Sequence, residues 1–117
     1  MIEPIELGCP GHFIMVSRCR WRRHTQVGKY RVSSVGNLYV DDKRTPLGGD
    51  EDFFETMVFE TLDAPAPKSE GCGCREVVYW GEVEAAQYKT AGEAQAGHER
   101  LVQQYREAQR SAVEVTI

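Results

Sequence analysis

The chain reads as an α+β protein: a mainly antiparallel sheet with one long C-terminal helix packed on it. Three stretches predict this. Residues 13–22 alternate, with Phe13, Met15, Ser17, Cys19 and Trp21 on one face and Ile14, Val16, Arg18, Arg20 and Arg22 on the other. That period of two is the signature of a half-buried strand. Residues 53–62 collect aromatic and β-branched side chains, as a central strand does. Thr90-Ala91-Gly92-Glu93 has the form of a capping box, in which each end residue satisfies the other's backbone amide.

The elements follow in order. Residues 1–10, with Pro4, Gly8 and Pro10, form an N-terminal arm. The strand that begins after Gly11 starts at His12 and turns basic toward its end. Gly28 marks a hairpin into a partner strand at Tyr30-Arg31-Val32-Ser33-Ser34-Val35. Gly36-Asn37 reads as a turn, after which Leu38-Tyr39-Val40 resumes the sheet. Asp41 to Asp52, with Pro46 and Gly48-Gly49, is a polar loop. Asp63 to Gly71, with Pro65 and Pro67, has the composition of an exposed loop, and Val77-Val78-Tyr79-Trp80 is a short strand. From Thr90 to about Ser111, Ala94, His98, Leu101, Tyr105, Ala108 and Ala112 step by three and four into one apolar stripe. Glu99, Arg100, Gln103, Gln104, Arg106 and Glu107 fill most of the other side, while Gly97 touches the stripe and allows close packing on the sheet. Residues 112–117 change from the helical period to alternation, which predicts a tail strand.

A length of 117 residues suits one domain over 1–117 with a core of its own. No apolar run approaches the ~20 residues of a membrane span, and no basic-then-apolar leader opens the chain. Four cysteines are too few for a secreted disulfide scaffold, so the expectation is reduced thiols in a cytoplasm. The net charge of −4 is unevenly spread: residues 1–36 carry +4 and the remainder −8, much of it between Asp41 and Asp63. Such a chain pairs its own halves or shows a basic face to an acidic partner.

Gly11-His12-Phe13-Ile14, Tyr30 to Gly36, Phe54-Glu55-Thr56-Met57-Val58-Phe59, Cys72-Gly73-Cys74 and Ala94 to Gly97-His98 occur in that order. Together they resemble a family of small proteins carried by tailed bacteriophages and prophages. The likeness spans about residues 11–98, and Ser34 stands where the family pattern leads one to expect threonine. The resemblance implies a phage origin, hence a virion component or a protein acting in the cytoplasm of an infected bacterium. It carries no catalytic, substrate or cofactor residue with it.

Several constellations bear on chemistry. Cys9-Pro10-Gly11-His12 has the spacing of a metal knuckle, and Cys72-Gly73-Cys74 adds two thiolates in a glycine-rich segment. Cys9, His12, Cys72 and Cys74 would suit a tetrahedral structural zinc ion. C-x-C is tighter than the usual zinc spacing, and ordinary thiols or a disulfide are the competing reading. Cys19, His24 and His98 contain a nucleophile and two bases. Cys19 alternates onto the apolar face, however, where burial blunts a thiol, and His98 sits on the helix stripe, as a hydrogen-bonded core histidine does. Arg18, Arg20 and Arg22 share a strand face near Arg23 and Lys29, which is a way to track phosphates. The acidic total, and the absence of aromatic residues suited to base stacking among those arginines on their face, argue against nucleic acid as a partner. No carboxylate pair has a defensible acid–base spacing, and neither glycine-rich segment has a phosphate-loop context.

These features predict a phage accessory protein that is not an enzyme and works by protein–protein contact, as a minor virion or tail-associated part. The alternative is an inhibitor of a host enzyme or defence complex that presents the basic face or the acidic loop as a mimic. The expected contact is the tail, with Val113, Val115 and Ile117 alternating as a strand that pairs with another chain or a second copy, the alternative being an edge of its own sheet.

Overall fold

The computed structural model describes residues 3–7, 19–47, 51–65, 75–78 and 82–116. They form an α+β fold in which an antiparallel sheet carries one long helix on one face. The strands are β1 (Ile5–Leu7), β2 (Cys19–Val27), β3 (Tyr30–Val40), β4 (Lys43–Thr45), β5 (Phe54–Pro65), β6 (Arg75–Val77) and β7 (Glu84–Tyr88), followed by α1 (Ala91–Thr116). The order across the sheet is β1-β2-β3-β5, with β6 and β7 both paired to β5 and β4 paired to the end of β3.

Local chemistry explains the hairpins. Val27 pairs with Tyr30 across a two-residue turn whose first residue, Gly28, has φ of 57°. That positive angle costs glycine nothing and matches the twist of the flanking strands. Val40 pairs with Lys43 across Asp41 and Asp42, with φ of 51° and 62°. Aspartate is among the few residues that tolerate this geometry, so the expected polar loop contains a hairpin.

Gly36-Asn37 is not a chain reversal. Strand β3 runs straight through it, and Asn37 absorbs the irregularity at φ 53°. There β3 changes partners: residues 30–36 pair with β5 and residues 38–40 with β4. Gly36 lies against the Phe54 ring, which occupies the space a Cβ would need. The expected strand at 77–80 is Arg75–Val77, with Val78 already a bend and residues 79–80 outside the described residues. Strand β7, poor in strand-forming residues, was not legible; it forms against the open side of β5 from Phe54↔Tyr88 to Val58↔Glu84.

The helix starts as its capping box dictates. Glu93 N donates to Thr90 Oγ1 at 3.2 Å, and Thr90 N donates to Glu93 Oε1 at 3.2 Å. Ala94, Gly97, His98 and Leu101 are buried, while Ala108, expected on the stripe, is exposed. Leu101 packs with Val27, Val32 and Val58, flanked by Tyr30, Val102 and Tyr105. Trp21 meets Phe54 edge-on at 5.5 Å toward the other end of the same face.

The tail strand is a correction. The helix continues through Val113 and Val115 to Thr116. Extending an existing helix adds one hydrogen bond per residue fixed, which outweighs the β preference of isolated valines. Ile117 lies outside the described residues.

Candidate functional site: a sealed histidine relay and an arginine–aromatic face

The most connected polar group is His98. Its Nε2 lies 2.8 Å from Thr25 Oγ1, and its Nδ1 lies 2.6 Å from Ser34 Oγ. Ser34 Oγ lies 2.6 Å from Thr56 Oγ1, and Thr25 donates to Glu6 Oε1 at 2.8 Å. Arg23 closes the chain, donating at 3.2 Å to both Glu6 and Glu99. Residues from β1, β2, β3, β5 and α1 are thus joined through one imidazole.

The proton positions follow from the partners. Burial raises the Glu6 carboxyl, but hydrogen bonds from Thr25 and Arg23 and the Arg23 charge outweigh it, so Glu6 is held below its ordinary range. An ionised carboxylate only accepts, so Thr25 spends its single hydroxyl proton on Glu6. Thr25 must then accept from His98, which puts the imidazole proton on Nε2. Burial, helped by the Arg23 charge, pushes the ring down to about 4, so it is neutral near pH 7 and Nδ1 is an acceptor. Ser34 donates to Nδ1, and Thr56 donates to Ser34. Every hydrogen bond points the same way, from Thr56 toward Glu6.

The order hydroxyl–imidazole–carboxylate looks like a nucleophile with its base, but Ser34 and His98 are each 0% exposed. No substrate reaches either, and the work of the relay is to fasten the helix to the sheet. The network meets solvent at its Glu6, Arg23 and Glu99 end, where the side chains are 56%, 26% and 60% exposed.

The expected core histidine at position 98 is therefore found, hydrogen-bonded through both ring nitrogens. The Cys19, His24 and His98 set is not assembled. Cys19 lies on the helix-facing side of β2 and His24 on the other, five residues and roughly 17 Å along the strand. Cys19 is buried, and that burial raises its thiol. His24 is pushed down to about 4 by burial and by the charges of Arg31 and Arg22. Thr25, Ser34, Thr56 and Glu6 were missed in the sequence; the signal was a helix-stripe histidine, whose two ring nitrogens need partners, facing strands with hydroxyls at alternate positions.

The sheet face away from the helix divides in two. At one end His24, Gln26, Arg31, Ser33, Phe59 and Thr61 are all buried. Gln26 Nε2 donates to Thr61 Oγ1 and to Gly28 O, each at 2.9 Å. The basic strand face is thus solvated only in part. At the other end Arg20, Arg22 and Arg44 are exposed. The Arg20 guanidinium lies 3.6 Å above the Tyr39 ring centre, and that of Arg44 lies 3.9 Å above Phe53. Arg44 Nε also donates to Asn37 Oδ1 at 3.0 Å.

Cys9, His12, Cys72 and Cys74 all lie outside the described residues, as does Arg18. Among the described residues no three His, Cys, Asp or Glu side chains gather as a metal site. Among them, too, no helix is long and apolar enough to cross a membrane. Comparisons with protein-family models, curated proteins and solved structures return no match.

Proposed function

We propose that this chain is a bacteriophage accessory protein that acts by protein–protein contact and not by catalysis. The observation that carries the reading is a run of exposed apolar side chains along one side of β5. Leu62, Val78 and Val83 are 46%, 50% and 53% exposed. Val78 N donates to Glu60 O and Val83 N to Val58 O, which sets both valines beside the same stretch of β5. Exposed valines that flank short strands at a sheet margin suit burial against a second protein. The sealed state of Ser34 and His98 supports a role without chemistry, and the sequence resemblance supplies the phage setting.

Mass spectrometry of purified particles tests the virion reading. The chain is expected in particles, and Val78→Glu with Val83→Glu should lower its incorporation while the protein stays folded. A chain missing from particles, but recovered with a host protein from infected cells, would move the assignment to a host-directed inhibitor. Incorporation unchanged by the two substitutions would remove this edge as the contact.

A further inference from the structure

Two arginines on the sheet face opposite the helix, Arg20 and Arg44, are held flat on aromatic rings and have no carboxylate partner among the described residues. Arg20 of β2 and Tyr39 of β3 lie on either side of the Cys19↔Leu38 pair, and Arg44 of β4 is the direct cross-strand neighbour of Tyr39. Arg44 lies over Phe53, next to the first residue of β5. The row therefore reads Arg20, Tyr39, Arg44, Phe53 across adjacent strands, with exposed Arg22 two residues further along β2. Among the described residues, ion pairs are made by Arg23, Lys29, Lys89 and Arg106 at other places on the molecule. Glu51, near this row in sequence, is taken by Lys89 at 3.6 Å, and Glu55 accepts from Gln87 at 3.1 Å.

Stacking fixes what these arginines offer. A guanidinium lying on a ring has one π face covered and the other turned outward, with its N–H edges free to point sideways. Arg44 spends its Nε on Asn37 and keeps both terminal nitrogens. Such a plane accepts a flat heterocycle on its open face and an anionic oxygen at its edge. Both demands are met together by an unpaired nucleotide, whose base stacks and whose phosphate accepts. A duplex hides its bases, and a carboxylate uses the edge without the plane. The one aromatic residue of β2, Trp21, turns to the other face and meets Phe54, so the rings beside the arginines, Tyr39 and Phe53, come from neighbouring segments.

We propose that this face binds single-stranded nucleic acid, with bases stacked on the Arg20 and Arg44 planes and phosphates at their edges. Arg20 and Arg44, two strand spacings apart, sit roughly 10 Å from each other, which makes the site a short one. It is separate from the apolar margin of β5 and independent of the protein-contact reading.

Fluorescence anisotropy with a labelled oligothymidylate of about 15 nucleotides, at about 50 mM salt, tests it. Binding is expected, weakening steeply toward about 200 mM salt. The double variant Arg20→Ala/Arg44→Ala should bind at least about tenfold more weakly, as loss of stacking partners does. Arg20→Lys/Arg44→Lys, which keeps both charges and removes both planes, should lose most of the same affinity, whereas Arg100→Ala on the helix should lose none. Circular dichroism confirms that the variants are folded. No binding by the unaltered protein would overturn the proposal, and so would full affinity in the lysine variant, which would mean charge alone. Equal binding of a duplex or of a polyglutamate peptide of matched length would also overturn it, pointing to a general anion surface.

Discussion

The His98 imidazole and the Thr25 hydroxyl lie 2.8 Å apart inside the protein, and the direction of their bond is set by Glu6 on the far side of Thr25. Because Glu6 can only accept, the ring proton belongs on Nε2. Nitrogen-15 spectra of the imidazole should show a neutral Nε2–H tautomer across about pH 5–8. Thr25→Val, close in shape but without the hydroxyl, strands a buried donor and should cost ~1–3 kcal/mol. Thr25→Ser keeps the relay and should cost clearly less. A spectrum dominated by the Nδ1–H form would overturn the assigned direction.

Stability should fall as the medium is acidified. His98 and His24 are both lowered from an ordinary 6.5 to about 4 by burial first and neighbouring arginine charge second. The unfolded chain therefore takes up protons below about pH 6.5 that the folded chain refuses. Their contribution is complete above that pH, drains between about 6.5 and 4, and changes no further below it. Each ring can account for at most on the order of 3 kcal/mol. The lowered Glu6 carboxyl acts in the same direction at still lower pH. Urea midpoints measured from about pH 8 to pH 4 check this, and His98→Asn should remove about half of the slope. A flat profile over that range would rule the linkage out.

Much of the fold was legible, and the reasons for the rest are physical. Periodicity exposed the helix because Ala94, His98 and Leu101 recur at the spacing that one sheet face sees, and the capping box located its start. The period changed beyond Ser111, yet the helix continued, since propagation on an existing helix is cheap and a short alternation carries little weight against it. β7 escaped notice because Glu84-Ala85-Ala86-Gln87-Tyr88 has no strand preference of its own and is made a strand by β5. The histidine relay was half visible: His98 stood on the stripe, but Ser34 and Thr56 become neighbours only once the register pairs them. The arginine–aromatic face was invisible for the same reason, since Arg20, Tyr39, Arg44 and Phe53 lie on four separate segments.

Leu101 is 2% exposed against three valines of the sheet, whereas Gln104 is exposed on the helix and donates to Glu84 at 3.2 Å. Leu101→Ala should cost ~2–5 kcal/mol, the range for opening a cavity in a packed core. Gln104→Ala should cost under ~0.5 kcal/mol, because an exposed hydrogen bond exchanges readily with water. Denaturant titrations of the two variants separate them, and similar losses would mean that the buried face of the helix has been misplaced.

The zinc proposal rests on chemistry alone. Cys9, His12, Cys72 and Cys74 supply a Cys₃His donor set, which tetrahedral zinc accepts. Elemental analysis of protein purified without added metal should find about one equivalent of zinc, with a loss of stability on chelation. Less than about a tenth of an equivalent would end the proposal in favour of free thiols or a disulfide. Retention of the metal in Cys72→Ser/Cys74→Ser would end this choice of ligands.

Gly97 offers a test in which two general effects oppose each other. In a helix interior alanine is favoured over glycine by ~1 kcal/mol, because glycine loses more backbone freedom on folding. By propensity alone Gly97→Ala should stabilise. The Tyr88 ring, however, occupies the place that a Cβ at position 97 would take, with both its hydroxyl and the carbon bearing it in the way. Tyr88 belongs to β7, and its hydroxyl accepts from Arg100 at 3.4 Å, so swinging the ring aside gives up that bond and its packing on the helix. Overpacking of this kind typically costs ~1–3 kcal/mol, enough to reverse the propensity gain. Gly97→Ala should therefore lower the denaturation midpoint, and Tyr88→Leu should restore part of the loss when combined with it. If Gly97→Ala raises the midpoint, the helix does not sit this close to β7, and the packing inferred for its first turns has to be redrawn.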